Sequence, residues 1–278
     1  MTSPGSTGPA LLFVAHLTAC TTLERWAADV FAVPSATPEE IHANQGADFD
    51  HGTFTRVLSE VVTEDGLVDY PKLAQDPAPL DAYLEELKAV DFSNLSRNEK
   101  LATLLNAYNA FTLRLILDHR PLRSIQDIPK EERWDAARWN LGGEILSLNA
   151  IEHDRLRAHF VEPRIHFAIN CASISCPPLP QEAFEGESID AQLDAAASRI
   201  HTPGTRWFEV DVKDDHALEV RLFRVYLWFH RDFERVSDTV VGFASRHYEP
   251  LARAVKEDRD VRVSYLEYDW GLNAATTD

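Results

Sequence analysis

The sequence predicts an α+β fold, a single domain in which helices pack on antiparallel, hairpin-joined strands. Three observations carry that assignment. One long helical pattern is apolar around most of its circumference, so other elements must cover it. Two pairs of strand-like runs are each joined by a turn signal, Gly142-Gly143 in one and Asp214-Asp215 in the other. Helical and strand patterns interleave without the β-α-β regularity of a parallel sheet.

In chain order, Phe54, Val57, Leu58 and Val61 have helical spacing, and Gly66 ends that element. Leu67-Val68-Asp69-Tyr70 reads as a short strand. Leu80 to Val90 reads as an amphipathic helix, with Leu80, Tyr83, Leu84 and Leu87 on one face. The long helix opens at Ser96-Arg97-Asn98-Glu99, a capping box. Leu101, Leu104, Leu105, Tyr108, Thr112 and Leu115 form one of its stripes, and Asn106, Asn109 and Leu113 lie on a second. Two asparagines inside a buried helix need hydrogen-bond partners, either neighbouring loops that they cap or a catalytic side chain that one of them orients. His119 to Glu132, with Pro121 and Pro129, reads as a loop, and Trp139 to Leu148 as a hairpin.

Asn149 to Glu152 has the form of a second capping box, opening a helix with His153, Leu156 and Phe160. Ile165, Phe167 and Ile169 alternate with His166, Ala168 and Asn170, which predicts a strand from Arg164. Burial favours packing this strand against the Asn106 and Asn109 helix, since both are strongly apolar. Ser188 is positioned to cap a helix with the stripe Ile189, Leu193, Ala196 and Ile200. Trp207 to Val212 and Ala217 to Phe223 are strands, and Val225 to Val236 and Thr239 to Val255 are helices. Val261 to Leu266 is a last strand leading into Tyr268-Asp269-Trp270-Gly271-Leu272-Asn273.

The chain has 278 residues, 45% hydrophobic and 26% charged, enough for one medium-sized core. With 45 acidic against 27 basic residues the net charge is -18, and no run of Lys and Arg offers a nucleic-acid footprint. Met1 to Cys20 holds no Asp, Glu, Lys or Arg, and its apolar run ends in Leu17-Thr18-Ala19-Cys20. That tetrad is similar to a bacterial lipobox, although the usual positive n-region is missing. The expected organisation is a signal peptide over 1–20, a Pro-broken tether over 21–48, a domain over 49–273 and a tail over 274–278. Lipidation of Cys20 would place the domain at the cell envelope, periplasmic or membrane-anchored.

The chemistry-bearing stretch runs from Arg164 to Leu179. Apart from Cys20, both thiols of the chain, Cys171 and Cys176, lie here, followed by Pro177-Pro178. Three readings are open. In the first, Asn170 caps a turn that puts Cys171 where backbone N–H groups favour a thiolate nucleophile. His166 or His153 is then the base, and Asn106, Asn109 or Asp269 orients it, by analogy with papain-like sites. Five residues of straight strand span about 17 Å, so His166 reaches Cys171 only if the chain folds back at Asn170. In the second, Cys171 and Cys176 form a disulfide that staples a binding module, with a gain of about 2 kcal/mol for so short a loop. In the third, His166, Cys171 and Cys176 bind a metal, but the spacing matches no common zinc pattern. No cofactor or resident metal is expected; the partner is a small-molecule or peptide substrate.

Several stretches together resemble the domain of unknown function 547 family. They are Val68-Asp69-Tyr70, Leu105-Asn106-Ala107-Tyr108-Asn109-Ala110, Leu148 to His153, Arg164 to Pro177, and Tyr265 to Asn273. Trp228-Phe229-His230-Arg231-Asp232-Phe233 departs from the Trp-Tyr-Lys-like version expected there. The resemblance implies the kind of domain and, because bacterial members often carry export signals, an exported protein; it implies no settled activity. A cysteine-dependent hydrolase or acyltransferase and a non-catalytic binding module both remain open on these residues.

Overall fold

The computed structural model describes residues 45–212 and 217–275. The expected signal peptide, the lipidation site at Cys20, most of the tether and the Asp214-Asp215 turn lie outside the described residues. Paired backbone begins at Ala47, which bridges to Leu95, and runs to Ala275, whose N–H donates to Val68. Among the described residues no helix is long and apolar enough to cross a membrane.

The first half is helical. Helices α1 (Gly52–Val61) and α2 (Tyr70–Gln75) pack together, α1 packs on α3 (Ala78–Ala89), and α3 packs on α4 (Arg97–His119), most of whose residues are buried. Ser96 caps α4 by accepting from the Glu99 N–H. Glu99 does not complete the box. Its carboxylate turns inward to His51, 2.8 Å away, and to the Gly186 N–H, because the helix N-terminus is itself buried. The strand expected over 67–70 is a single residue wide: Val68 bridges to Val62 and Ala274, and then Asp69 caps α2 with Pro71 in its first turn. The 119–132 loop holds a 3₁₀ turn (Ile125–Asp127) and the short α5 (Lys130–Arg133). Strands β1 (Trp139–Leu141) and β2 (Glu144–Leu146) form the expected Gly-Gly hairpin.

The second half packs α6 (Ile189–Ile200) and four short helices against a three-stranded sheet. Strands β3 (Phe208–Val212) and β4 (Ala217–Leu222) are antiparallel. The chain then crosses over through α7 (Val225–Trp228), α8 (His230–Ser237), α9 (Val240–Ser245) and α10 (Glu249–Lys256). It returns as β5 (Asp260–Tyr265), which pairs parallel to β4. A parallel neighbour needs such a crossover, and four helices supply it. The expected helix over 225–236 breaks at Phe229, whose ring stacks on His166, and the one over 239–255 breaks before Pro250. In α6 the buried stripe runs through Ala197, with Ala196 half-buried, and Ser188 makes no side-chain cap.

The segment predicted as a strand from Arg164 is a 3₁₀ helix, Pro163–Phe167. Pro163 opens it, and Glu162 caps it by accepting from the Arg164 N–H. Its period-two alternation describes no pair of faces, since residues 165–169 are all buried. Ile165, Ala168 and Ile169 join the apolar cluster around α4, while Phe167 joins the cluster under the sheet. The segment is thus the seam between the two halves of one core. Its packing against α4 is as expected and is made by Asn109. Nδ2 donates to Ala168 O at 3.0 Å, and Oδ1 accepts from Asn170 N at 2.8 Å. Asn106, one turn earlier, holds both backbone groups of Phe184 in the same way. The two asparagines therefore cap loops, and neither orients a histidine. Asn109→Ala leaves two buried backbone groups without partners, so it should cost about 2–4 kcal/mol; urea unfolding will measure the loss.

Candidate functional site

The cysteine loop is a tight backbone construction. Asn170 accepts from Ala172 N at 2.7 Å, so it caps the turn as its residue type suggested, and its Nδ2 donates to Pro177 O at 2.6 Å. Asn273, itself held by the Tyr70 hydroxyl, donates to Asn170 Oδ1. Between these bonds Ala172 is fully buried at φ 62°, a left-handed conformation that costs a residue with a β-carbon. Trp207 Nε1 donates to the carbonyls of Ser175 and Cys176, each at 3.1 Å. Ile174 N and Ser175 N bond to the backbone of Gly271 and Asp269. Gly66 lies so close to Pro178 that a β-carbon there would overlap it, and its φ of +77° independently favours glycine.

Cys171 and Cys176 are joined by a disulfide, with Cα atoms 6.2 Å apart. Cys171 N donates to Cys176 Sγ at 2.9 Å. Ser173 Oγ donates to Tyr268 Oη at 2.9 Å. The phenol lies 3.2 Å from Cys171 Sγ and 3.1 Å from Cys176 Sγ, so a tyrosine rather than a histidine touches the sulfurs. Burial raises the pKa of Tyr268, which keeps the hydroxyl a proton donor at neutral pH.

Behind the loop is a cavity of about 310 Å³. Its aromatic wall is Tyr108, Trp134, Trp228, Phe229, Tyr268 and Trp270, and its polar lining includes Asn149, Glu152, His153 and His166, with the disulfide on one side. Both candidate histidines therefore share a cavity with both cysteines. Asn106 and Asn109 stand behind it in α4. Asp269 is elsewhere too: its carboxylate accepts from Gly271 N at 2.8 Å, and it orients no imidazole. The carboxylate that does so is Asp232, with Oδ2 2.8 Å from His166 Nε2.

Asp232 also takes a bidentate pair from Arg157, at 2.6 Å to Nε and 3.1 Å to Nη2. Burial opposes ionisation of Asp232, but the bonds from His166 and Arg157 outweigh it and hold the carboxyl well below its ordinary range. Being ionised, Asp232 can only accept, so His166 Nε2 carries a proton and Nδ1 is the nitrogen left to serve the cavity. Phe229 stacks on the His166 ring at 4.0 Å, and the Arg157 guanidinium lies over the same phenyl group at 5.0 Å.

Arg157, Glu152 and His153 come from a π-helix, Ala150–Arg157, where an α-helix with an Asn149 cap was expected. Asn149 makes no cap; Ser147 Oγ accepts from Ala150 N instead. The wider i→i+5 turn brings Glu152 and Arg157, five residues apart, toward one side. Glu152 is buried and hydrogen-bonded to Tyr108. Burial raises its pKa, offset in part by His166, Arg157 and that hydrogen bond. Burial, then Arg157 (Nη1 3.2 Å from Nδ1), pushes His153 down to about 4, so it is uncharged at neutral pH.

The metal reading does not survive this geometry. The two sulfurs are bonded to each other and His166 Nε2 is engaged by Asp232. Among the described residues no group of three or more His, Cys, Asp or Glu side chains is placed to hold a metal ion. Sequence reasoning missed Asp232, Tyr268 and the tryptophan wall. The available signals were Trp228 and Asp232 four residues apart in a helical run, and the aromatic pair in Tyr268-Asp269-Trp270.

Two predictions follow from the charges. Asp232→Asn strips the counter-charge from buried Arg157 and should cost about 3–5 kcal/mol by chemical denaturation. Stability should also fall with acid. The unfolded chain protonates His153 near its ordinary 6.5, whereas the folded protein resists protonation until about 4. Between those values the unfolded state binds more protons, so stability drops as pH falls from 6.5 toward 4. The depressed Asp232 adds a further loss below its ordinary 3.8, and the raised Glu152 acts in the opposite sense. His153→Gln should flatten the slope between pH 6.5 and 4 in urea titrations; an unchanged slope would assign the loss to other groups.

Residues 92–199 match the family described as Protein of unknown function, DUF547. No curated protein and no solved structure matches the chain. The matched stretch holds Tyr108, Glu152, His153, His166, Cys171 and Cys176 and stops before Asp232, Trp228 and Tyr268. Over the helix, the π-helical segment and the cysteine loop that build most of the cavity, the chain resembles the DUF547 family.

Proposed function

We propose that this domain is a binding module whose cavity takes a small organic ligand, with the Cys171–Cys176 disulfide as a fixed part of its wall. The observation that carries this reading is the cavity itself. At about 310 Å³ it falls at the small end of ligand pockets. Its wall is rich in aromatic side chains, and two of the polar groups on it, Glu152 and His153, are shifted in pKa, chiefly by burial. Bonded to Cys176, Cys171 offers no thiolate. A structural disulfide accords with export to the cell envelope through a lipid on Cys20, which we propose as the location.

One observation favours a second reading. Cys171 lines the same cavity as the His166 and Asp232 pair. In a reduced protein Cys171 would be the nucleophile of a hydrolase or acyltransferase, His166 the proton carrier and Asp232 the group that orients it. Hydroxyls of Tyr268 and Ser173 near the sulfur would then support a thiolate.

Alkylation of protein purified without reductant separates the two. The binding-module reading expects both thiols to resist iodoacetamide until a reductant is added, followed by mass spectrometry of the loop peptide. It expects Cys171→Ala and Cys176→Ala to lose similar stability, about 2 kcal/mol each. Fast labelling of Cys171 alone in the unreduced protein, with only Cys176→Ala tolerated for activity, would favour the thiol enzyme.

A further inference from the structure

Trp228, Tyr268 and Trp270 pack with ring centroids 4.7, 4.5 and 5.8 Å apart, the tyrosine inclined by about 50° to both indoles. Trp134 leans on Trp270 at 6.1 Å and 53°. The two indoles lie at 25° to each other with the tyrosine set across them, and together these rings wall one side of the cavity. Glu152 is the carboxylate among the lining residues, and no lysine or arginine is among the described residues that line it. Arg157, which also acts on Glu152, is paired with Asp232. At the polar side His153 is acted on by Arg157 first and then by Asp154, Asp232 and Asp135, in a chain of net charge -18.

We propose that the ligand carries an alkylated ammonium group, seated among Trp228, Tyr268, Trp270 and Tyr108 with Glu152 as its counter-charge. This deepens the binding-module reading and rests on it. Aromatic faces attract a cation through the ring quadrupole, and more strongly where water is excluded. A primary ammonium would need three acceptors to replace its water. Six of the cavity's lining residues are Phe, Tyr or Trp, which suits a methylated nitrogen whose surface is largely apolar. An anionic ligand would meet Glu152 and no lining lysine or arginine; the cations that act on that carboxyl, His166 and Arg157, are both engaged by Asp232.

The carboxyl of Glu152 is faced by Tyr108 from α4, His166 from the 3₁₀ segment, Asp232 from α8, Tyr268 from the C-terminal stretch, and Arg157 on its own element. Burial favours its protonated form when no cation is bound. An entering cation reverses that preference. Binding therefore releases a proton, and affinity rises with pH until Glu152 is ionised in the free protein.

The test uses the oxidised full chain, titrated with choline and with its uncharged carbon isostere, 3,3-dimethylbutan-1-ol. Calorimetry and quenching of the cavity tryptophans report binding. Choline should bind at least about tenfold tighter than the isostere. Glu152→Gln should remove most of that difference, and Trp270→Leu should weaken choline binding with the far-ultraviolet spectrum unchanged. The wild-type comparison needs no variant to fold. Equal affinity for both probes would overturn the ammonium assignment and leave a site for neutral ligands. If neither probe binds, the ammonium assignment falls and the binding-module reading falls with it.

Discussion

The carboxylate of Asp232 ties together three elements of the structure. It sits on α8, takes two hydrogen bonds from Arg157 of the π-helical segment, and takes one from His166 of the 3₁₀ segment. Each of these groups would be costly to bury alone, and the ion pair is favourable here because its geometry is bidentate and its remaining lone pair is used. Phe229 closes the arrangement, with His166 on its ring and the Arg157 guanidinium over it. The break in the helix at Phe229 has the same origin, since a continuous helix would not put that ring between them.

A second set of constraints is neutral. Asn109, Asn170 and Asn273 satisfy backbone and side-chain groups that a buried irregular loop leaves without partners. They hold Ala172 in its left-handed conformation and present both sulfurs to the cavity. In this arrangement the disulfide is one restraint among several on the loop. Function and stability meet at that loop: the same bonds that complete the core fix the wall of the cavity.

Much of the architecture was legible in the sequence. The long helix announced itself by Ser96 and by apolar residues on nearly all sides, and Gly142-Gly143 marked the first hairpin. The seam at 163–167 was misread because alternation of Ile165, Phe167 and Ile169 is also what a segment buried on every side can show. The parallel pairing of β5 depends on how four helices cross the sheet, which strand patterns do not encode. At the site, Cys171, His166 and His153 were legible as residue types gathered around one motif. Their relation was not, because Asp232 is 66 positions from His166 and Tyr268 is 97 from Cys171. Glu152 was legible only as a carboxylate beside His153; a π-helical turn, unexpected from the sequence, aims it into the cavity with Arg157 behind it.

We propose that the disulfide-walled aromatic cavity holds a cation. A crystal structure of protein purified without reductant and grown with tetramethylammonium tests this most directly. The account predicts an intact Cys171–Cys176 bond and a tetrahedral density inside the cup of Trp228, Tyr268 and Trp270, facing Glu152. Free thiols with a histidine drawn against Cys171, and solvent alone in the cup, would contradict it.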